Sequence, residues 1–161
     1  MFSKKVLTPH QALEKIKSFC AYQERSHKEV TEKLYSYGLF SKDVEQIMAE
    51  LIEENFLNEE RFAVAYAGGK FRVKQWGRQK IKYELKQRGV SSFCIKLALK
   101  EIEETDYLTT LFSLACKKWE SLIKEQFYSR QAKTSSYLVT KGYEQHLIIE
   151  VIERLKKEGT D

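Results

Sequence analysis

Gly77-Arg78-Gln79-Lys80-Ile81-Lys82-Tyr83-Glu84-Leu85-Lys86-Gln87-Arg88-Gly89-Val90 reads as one basic helix held between two glycines. It carries five basic side chains and one acidic one. Ile81 and Leu85 lie four residues apart and therefore share a face. Gly89 stands just past the last turn, where a residue of positive φ is wanted. With Ile81 and Leu85 turned inward, Gln79, Lys80, Lys82, Tyr83, Lys86 and Gln87 point outward, and Arg78 and Arg88 flank the apolar stripe.

The same framework recurs on either side. Gly38, Gly89 and Gly142 are separated by 51 and 53 residues. Four residues before each glycine stand Leu34, Leu85 and Leu138; eight before stand Val30, Ile81 and, as a weaker match, Thr134. One residue after come Leu39, Val90 and Tyr143, and six after come Val44, Ile95 and Ile148. Ile47, Ala98 and Val151 follow at the ninth position, and Leu51, Ile102 and Leu155 at the thirteenth. So many matches in one register predict tandem units, each too small to bury its apolar face alone. The expected fold is all-α, with three three-helix repeats at residues 1–56, 57–104 and 105–161 forming an elongated, curved array. A single proline and seven glycines in 161 residues also disfavour a turn-rich β fold.

Local signals place the helices. Thr8 with Gln11 and Ser26 with Glu29 are capping boxes, and Pro9 suits a first helical position. Ser41, Asn58 and either Ser91 or Ser92 are the expected caps of later helices, with Glu59 and Glu60 in the first turn after Asn58. Gly68-Gly69 predicts a kink or close helix packing, because no P-loop pattern surrounds it. The last four residues read as a frayed tail.

Charge is distributed unevenly. Residues 1–60 hold eight basic and eleven acidic side chains, and residues 101–161 hold nine and eleven. Residues 61–100 hold eleven basic ones and only Glu84. The whole excess behind the net charge of +5 therefore lies in the middle forty residues. Ordinary protein surfaces interleave both signs. A nearly pure cationic block with Phe71 and Trp76 interleaved points to a polyanion, with a solvated charged face as the plain alternative. The candidate contacts are Lys70, Arg72, Lys74, Arg78, Lys80, Lys82, Lys86 and Arg88. Nothing in them indicates base-specific reading, so single- or double-stranded DNA would be bound weakly and without regard to sequence.

No catalytic residue, metal ligand or cofactor motif emerges. His10, His27 and His146 are scattered, and Cys20, Cys94 and Cys116 form no CxxC. The widely spaced, odd-numbered cysteines fit reduced thiols in the cytoplasm. Met1–Lys5 is not followed by a long apolar run, so neither a signal peptide nor a membrane span is expected.

Leu57-Asn58-Glu59-Glu60-Arg61-Phe62-Ala63, followed by Gly77, Ile81, Glu84-Leu85 and Arg88-Gly89-Val90, resembles the RecX regulatory proteins of bacteria. The first repeat is similar through Tyr22, Arg25, Ser26, Leu34 and Gly38, and the third, more loosely, through Lys133, Leu138 and Gly142-Tyr143. Two departures stand out: Glu59 where the family usually has aspartate, and Thr140-Lys141 where arginines are common. The resemblance implies a non-enzymatic, monomeric regulator of the RecA recombinase. Such a protein binds the RecA–DNA filament and restrains ATP hydrolysis, strand exchange and the co-protease activity behind the SOS response. The residues themselves leave open a helical nucleic-acid-binding protein that acts without RecA, and a hydrolase whose site they do not reveal.

Overall fold

The computed structural model describes residues 6–159, so Met1–Lys5 and Thr160–Asp161 lie outside the described residues. Among the described residues the chain is all-helical. The α-helices are α1 (Pro9–Tyr22), α2 (His27–Ser36), α3 (Ser41–Glu53), α4 (Glu59–Gly69), α5 (Arg78–Gln87), α6 (Ser92–Lys100), α7 (Glu104–Ser121), α8 (Phe127–Lys141) and α9 (Gln145–Glu158). A π-helical turn, Lys70–Lys74, continues α4. Of the four residues expected to fray, Glu158 is the last residue of α9 and Gly159 its C-cap, and the other two lie outside the described residues.

The helix starts follow the local chemistry. Both capping boxes form: Thr8 with Gln11 and Ser26 with Glu29 satisfy each other's backbone amides. Asn58 Oδ1 accepts from the Arg61 amide at 2.8 Å, and Ser91 Oγ from the Cys94 amide at 3.3 Å. Ser41 does not cap α3. It is already the first helical residue, and the extended N-cap is Phe40, whose side chain has nothing to offer the free amides. The double glycine does not break α4. The helix runs through Gly69 and widens into the π turn, and the chain reverses only at Gln75, in the left-handed region at φ 57°.

The recurring glycines have a common cause. Gly38, Gly89 and Gly142 have φ of 85°, 75° and 101°. In the second and third copies the residue after glycine donates to the leucine carbonyl. Val90 N–H donates to Leu85 O at 3.1 Å, and Tyr143 N–H to Leu138 O at 3.1 Å. Gly89 N–H and Gly142 N–H bond the next carbonyls, Lys86 O and Val139 O. This is a Schellman ending, which brings the leucine against the apolar residue after the glycine. Leu34, Leu85 and Leu138 are fully buried, as are Val30, Ile81 and Thr134. Thr134 fits because its hydroxyl donates to the Arg130 carbonyl at 2.8 Å. Val151 is the exception in the register and is only half-buried.

The chain divides into two compact units. One comprises residues up to Tyr66 together with Leu85–Ala98, and the other Ala67–Glu84 together with the residues from Leu99 onward. In the first, α1, α2 and α3 pack pairwise around Ile16, Val30, Leu34, Ile47 and Leu51. In the second, α7, α8 and α9 pack pairwise around Leu111, Leu138, Ile148 and Ile152. Residues of α4, α5 and α6 are shared between the two units.

Gly89→Ala should lower the unfolding free energy by about 1–2 kcal/mol. Open space surrounds its missing Cβ, so only the backbone conformation resists. Leu85→Ala should cost about 2–5 kcal/mol. Equilibrium urea unfolding measures both, and an alanine as stable as Gly89 would show that the turn does not depend on positive φ.

Candidate functional site

The residues that carry the family pattern at the start of α4 turn out to be stitches. Leu57 is buried in the core of the first three helices. Arg61 Nε donates to Glu24 Oε1 at 2.5 Å, while its two terminal nitrogens reach Asn55 Oδ1 and the Asn55 carbonyl, both at 3.1 Å. Asn55 sits in the left-handed region at φ 65°, so Arg61 holds the turn between α3 and α4. Glu59 reaches across to α6, where its carboxylate accepts from the Ser91 amide at 2.8 Å. A carboxylate at that helix N-terminus is favourable whether it comes from aspartate or glutamate. The sequence places Glu59 in the first turn of α4; the structure adds its service to α6, 32 residues away.

Arginines do parallel work in the outer helical trios. Arg25 Nε donates to the Phe19 carbonyl at 3.0 Å, and its guanidinium lies 3.7 Å from the Phe19 ring centre. Arg130 Nε donates to the Trp119 carbonyl at 2.8 Å and stacks 4.0 Å from that ring. Each closes the carbonyl end of the preceding helix.

Within the second unit, the basic stretch is docked on the end of α8. Gly77 N–H donates to Lys141 O and Gln79 N–H to Gly142 O, both at 2.8 Å. The free amides at the start of α5 thus meet the free carbonyls at the end of α8, with the helix dipoles head to tail. Gly77 and Gly142 permit the approach: a Cβ on Gly77 would collide with the Gly142 carbonyl, and one on Gly142 with Lys80. The preceding loop is tied to the same place. Lys141 Nζ donates to Lys74 O at 3.1 Å and the Tyr143 hydroxyl to Gln75 O at 2.9 Å.

Arg78 sits at this junction and is not a free surface cation. It pairs with Glu144 at 2.7 Å and with Glu104, and its guanidinium lies 3.7 Å from the centre of the Tyr107 ring. Tyr107 is fully buried, donates its hydroxyl to Glu144 and accepts from the Arg78 amide at 3.0 Å. Burial opposes the charge on Arg78, but Glu144 and Glu104 outweigh it and the guanidinium is held still more firmly protonated. Burial, reinforced by Glu144, pushes the Tyr107 phenol well above its usual range, and burial does the same to Tyr143. Phe71 and Tyr143 pack on Tyr107 with ring centres 5.8 and 5.2 Å away.

The remaining candidate cations are spread over both units. Lys70, Arg72, Lys74, Lys80 and Lys82 belong with Arg78 to the second unit, and Lys86 and Arg88 to the first. Arg72, Lys74, Lys82 and Lys86 are exposed. Lys70 and Lys80 are half-buried, with their ammonium groups 5.0 and 4.6 Å from the centre of the Trp76 ring. Arg88 lies 4.7 Å from the Tyr66 ring centre. Among the described residues no group of His, Cys, Asp or Glu comes together to hold a metal ion, and no helix is long and apolar enough to cross a membrane.

Comparison with known proteins bears on this arrangement. Residues 58–99 match the model of the second three-helix domain of RecX, and residues 104–152 that of the third. The chain belongs to the RecX family. It is 28% identical over 144 residues to the regulatory protein RecX of Bacillus cytotoxicus, covering 89% of this chain and 53% of the relative. It is 33% identical over 133 residues to that of Clostridium perfringens strain 13, covering 81% and 62%. The chain thus spans little more than half the length of these curated RecX relatives. The crystal structure of RecX from Lactobacillus salivarius superposes with a TM-score of 0.84 at 23% identity, covering 92% of this chain and 96% of that one. A second RecX crystal structure gives 0.82 at 20% identity, covering 90% and 71%. These likenesses establish the all-helical RecX fold, built from three-helix domains.

Two measurements test the buried cluster. Glu144→Gln should destabilise the protein by about 2 kcal/mol, as expected for loss of charged hydrogen bonds. Stability should also fall as the pH rises above about 10. There tyrosines of the unfolded chain ionise, while Tyr107 and Tyr143, raised in the fold, keep their protons. Denaturant titrations across that range should show a shallower fall for Tyr107→Phe; an unchanged slope would remove Tyr107 from the account.

Proposed function

We propose that this RecX-family chain is a non-enzymatic regulator that binds the RecA–DNA filament. In this reading it inhibits RecA recombinase, ATPase and co-protease activity, and so tempers DNA repair and the SOS response. It works in the cytoplasm as a monomer, through binding alone. The observation that carries the reading is the cationic block of residues 61–100, eleven basic side chains against Glu84, in a chain whose flanks are acidic. Membership of a family of regulatory proteins names the kind of task, and a RecA–DNA filament is a polyanion that such a block suits.

The contact set follows from exposure and prior engagement. Arg72, Lys74, Lys82 and Lys86 are the exposed members, and they face the filament. Lys70, Lys80 and Arg88 support them from beside their rings. Arg78 belongs to the framework, since Glu144 and Glu104 already hold its charge. Contacts of this kind read phosphate and acidic protein surface, not bases.

The decisive assay is RecA's DNA-dependent ATPase with this chain added at sub-stoichiometric amounts. Inhibition is expected, and no effect at any ratio would sink the proposal. Lys82→Glu with Lys86→Glu should weaken inhibition at least tenfold while leaving helicity intact. If both lysines contact phosphate, the log–log salt slope of single-strand binding should shrink by about 1.4. Full inhibition by the double variant would reduce the cationic stretch to a solvated face.

A further inference from the structure

We infer that a cleft between α1 and α2, remote in sequence from the basic stretch, is a stacking site for unpaired bases of single-stranded DNA. It is a shallow, open depression of about 570 Å³. Phe19, Tyr22 and Tyr37 line it. Tyr22 is 82% exposed, and it is the member of the three whose ring lies open. Phe19 and Tyr37 are half-buried, and Arg25, which also lines the cleft, covers one face of Phe19 with its guanidinium 3.7 Å from the ring centre.

Cations surround these rings. Lys33 Nζ lies 5.6 Å from the Phe19 ring centre and 5.9 Å from that of Tyr37, and Lys15 Nζ lies 6.0 Å from the Tyr37 centre. Among the described residues neither ammonium has a carboxylate partner, so both remain available to phosphate. Glu14 and Ser18 line the same cleft. A carboxylate there disfavours phosphate within the cleft but accepts hydrogen bonds from the exocyclic amino groups of a base. Phosphates at the lysine rim and a base against the exposed Tyr22 ring therefore suit this lining, while Arg25 stays with the Phe19 ring and carbonyl.

An acidic peptide would use the lysines but leave the exposed Tyr22 ring idle and meet Glu14. Duplex DNA has its bases already stacked and cannot use the rings. Aromatic platforms edged by lysine are the usual means of holding single strands without sequence reading. The site lies in the first unit, on residues 14–37, outside the cationic block of residues 61–100 in the sequence. The choice of DNA over RNA rests on the filament reading above; the base-stacking chemistry does not.

The test uses this chain alone, without RecA, so its result is independent of any effect on the recombinase. The probe is a fluorescein-labelled oligodeoxyadenylate, read by anisotropy. Tyr22→Ala should weaken binding between about fivefold and a hundredfold, the range for loss of one stacked base. Lys15→Ala with Lys33→Ala should weaken it further and flatten its salt dependence. Tyr22→Phe, which keeps the ring, should bind as the parent does. Photo-crosslinking to an oligonucleotide carrying 5-iododeoxyuridine should label Tyr22 or Phe19. Undiminished binding by Tyr22→Ala, or adducts confined to Trp76 and Tyr83, would overturn the assignment. Equal binding of oligoriboadenylate would retain the stacking site and overturn only its restriction to DNA.

Discussion

The head-to-tail meeting of two helix ends, α8 running out and α5 starting, is the constraint around which the second unit is arranged. Helix ends leave backbone groups without partners, and a buried end must find some. Here the donors of Gly77 and Gln79 and the acceptors of Lys141 and Gly142 answer each other directly. That solution demands close backbone approach, which is why glycine occupies both sides of the contact. It also concentrates charge where water is scarce, and Arg78, Glu144, Glu104 and Tyr107 resolve that charge among themselves. The fold thus uses one arginine of the basic stretch to fix the stretch in place and leaves Lys82 and Lys86 to solvent.

A division of labour runs through the whole chain. Residues that recur, the leucines and glycines of the Schellman endings, set where helices stop and which face is buried. Residues that typify the family at the start of α4 join neighbouring elements: Arg61 to the turn at Asn55, Glu59 to the amide of Ser91. Neither group is free to meet a partner. The contacts proposed for binding use side chains that the framework does not need, such as Arg72, Lys74 and Tyr22, and these fall on different elements in different units.

This division also explains what could be read in advance. The Leu–Gly–apolar signature and the two capping boxes are closed by hydrogen bonds spanning at most six residues, so a linear sequence contains both partners. Asn58 and Ser91 were legible for the same reason. Arg78 was not: its carboxylates lie 26 and 66 residues away, and a helical wheel shows it only as one more cation. Nor was the π turn, since Gly68-Gly69 signals a departure from regular helix without saying which. Ser41 misled because a cap is defined by backbone conformation as well as by residue type, and the extended residue is Phe40. The cleft beside Tyr22 gave no signal, because Phe19 and Tyr22 at helical spacing ordinarily mean core, and Tyr37 joins them from the end of another helix.

The partners of the first turn of α5 have a consequence in time. A chain emerging from the ribosome completes α1, α2 and α3 first, and the core cluster they share reaches only to Leu57. The basic stretch then appears, but the carbonyl that receives the Gly77 amide belongs to Lys141, 64 residues further on. At about 5–20 residues per second, that interval is roughly 3–13 s. During it the most cationic part of the protein is exposed to a crowded, RNA-rich surrounding without its final anchor. Vectorial synthesis therefore makes the charge available before the architecture that restrains it.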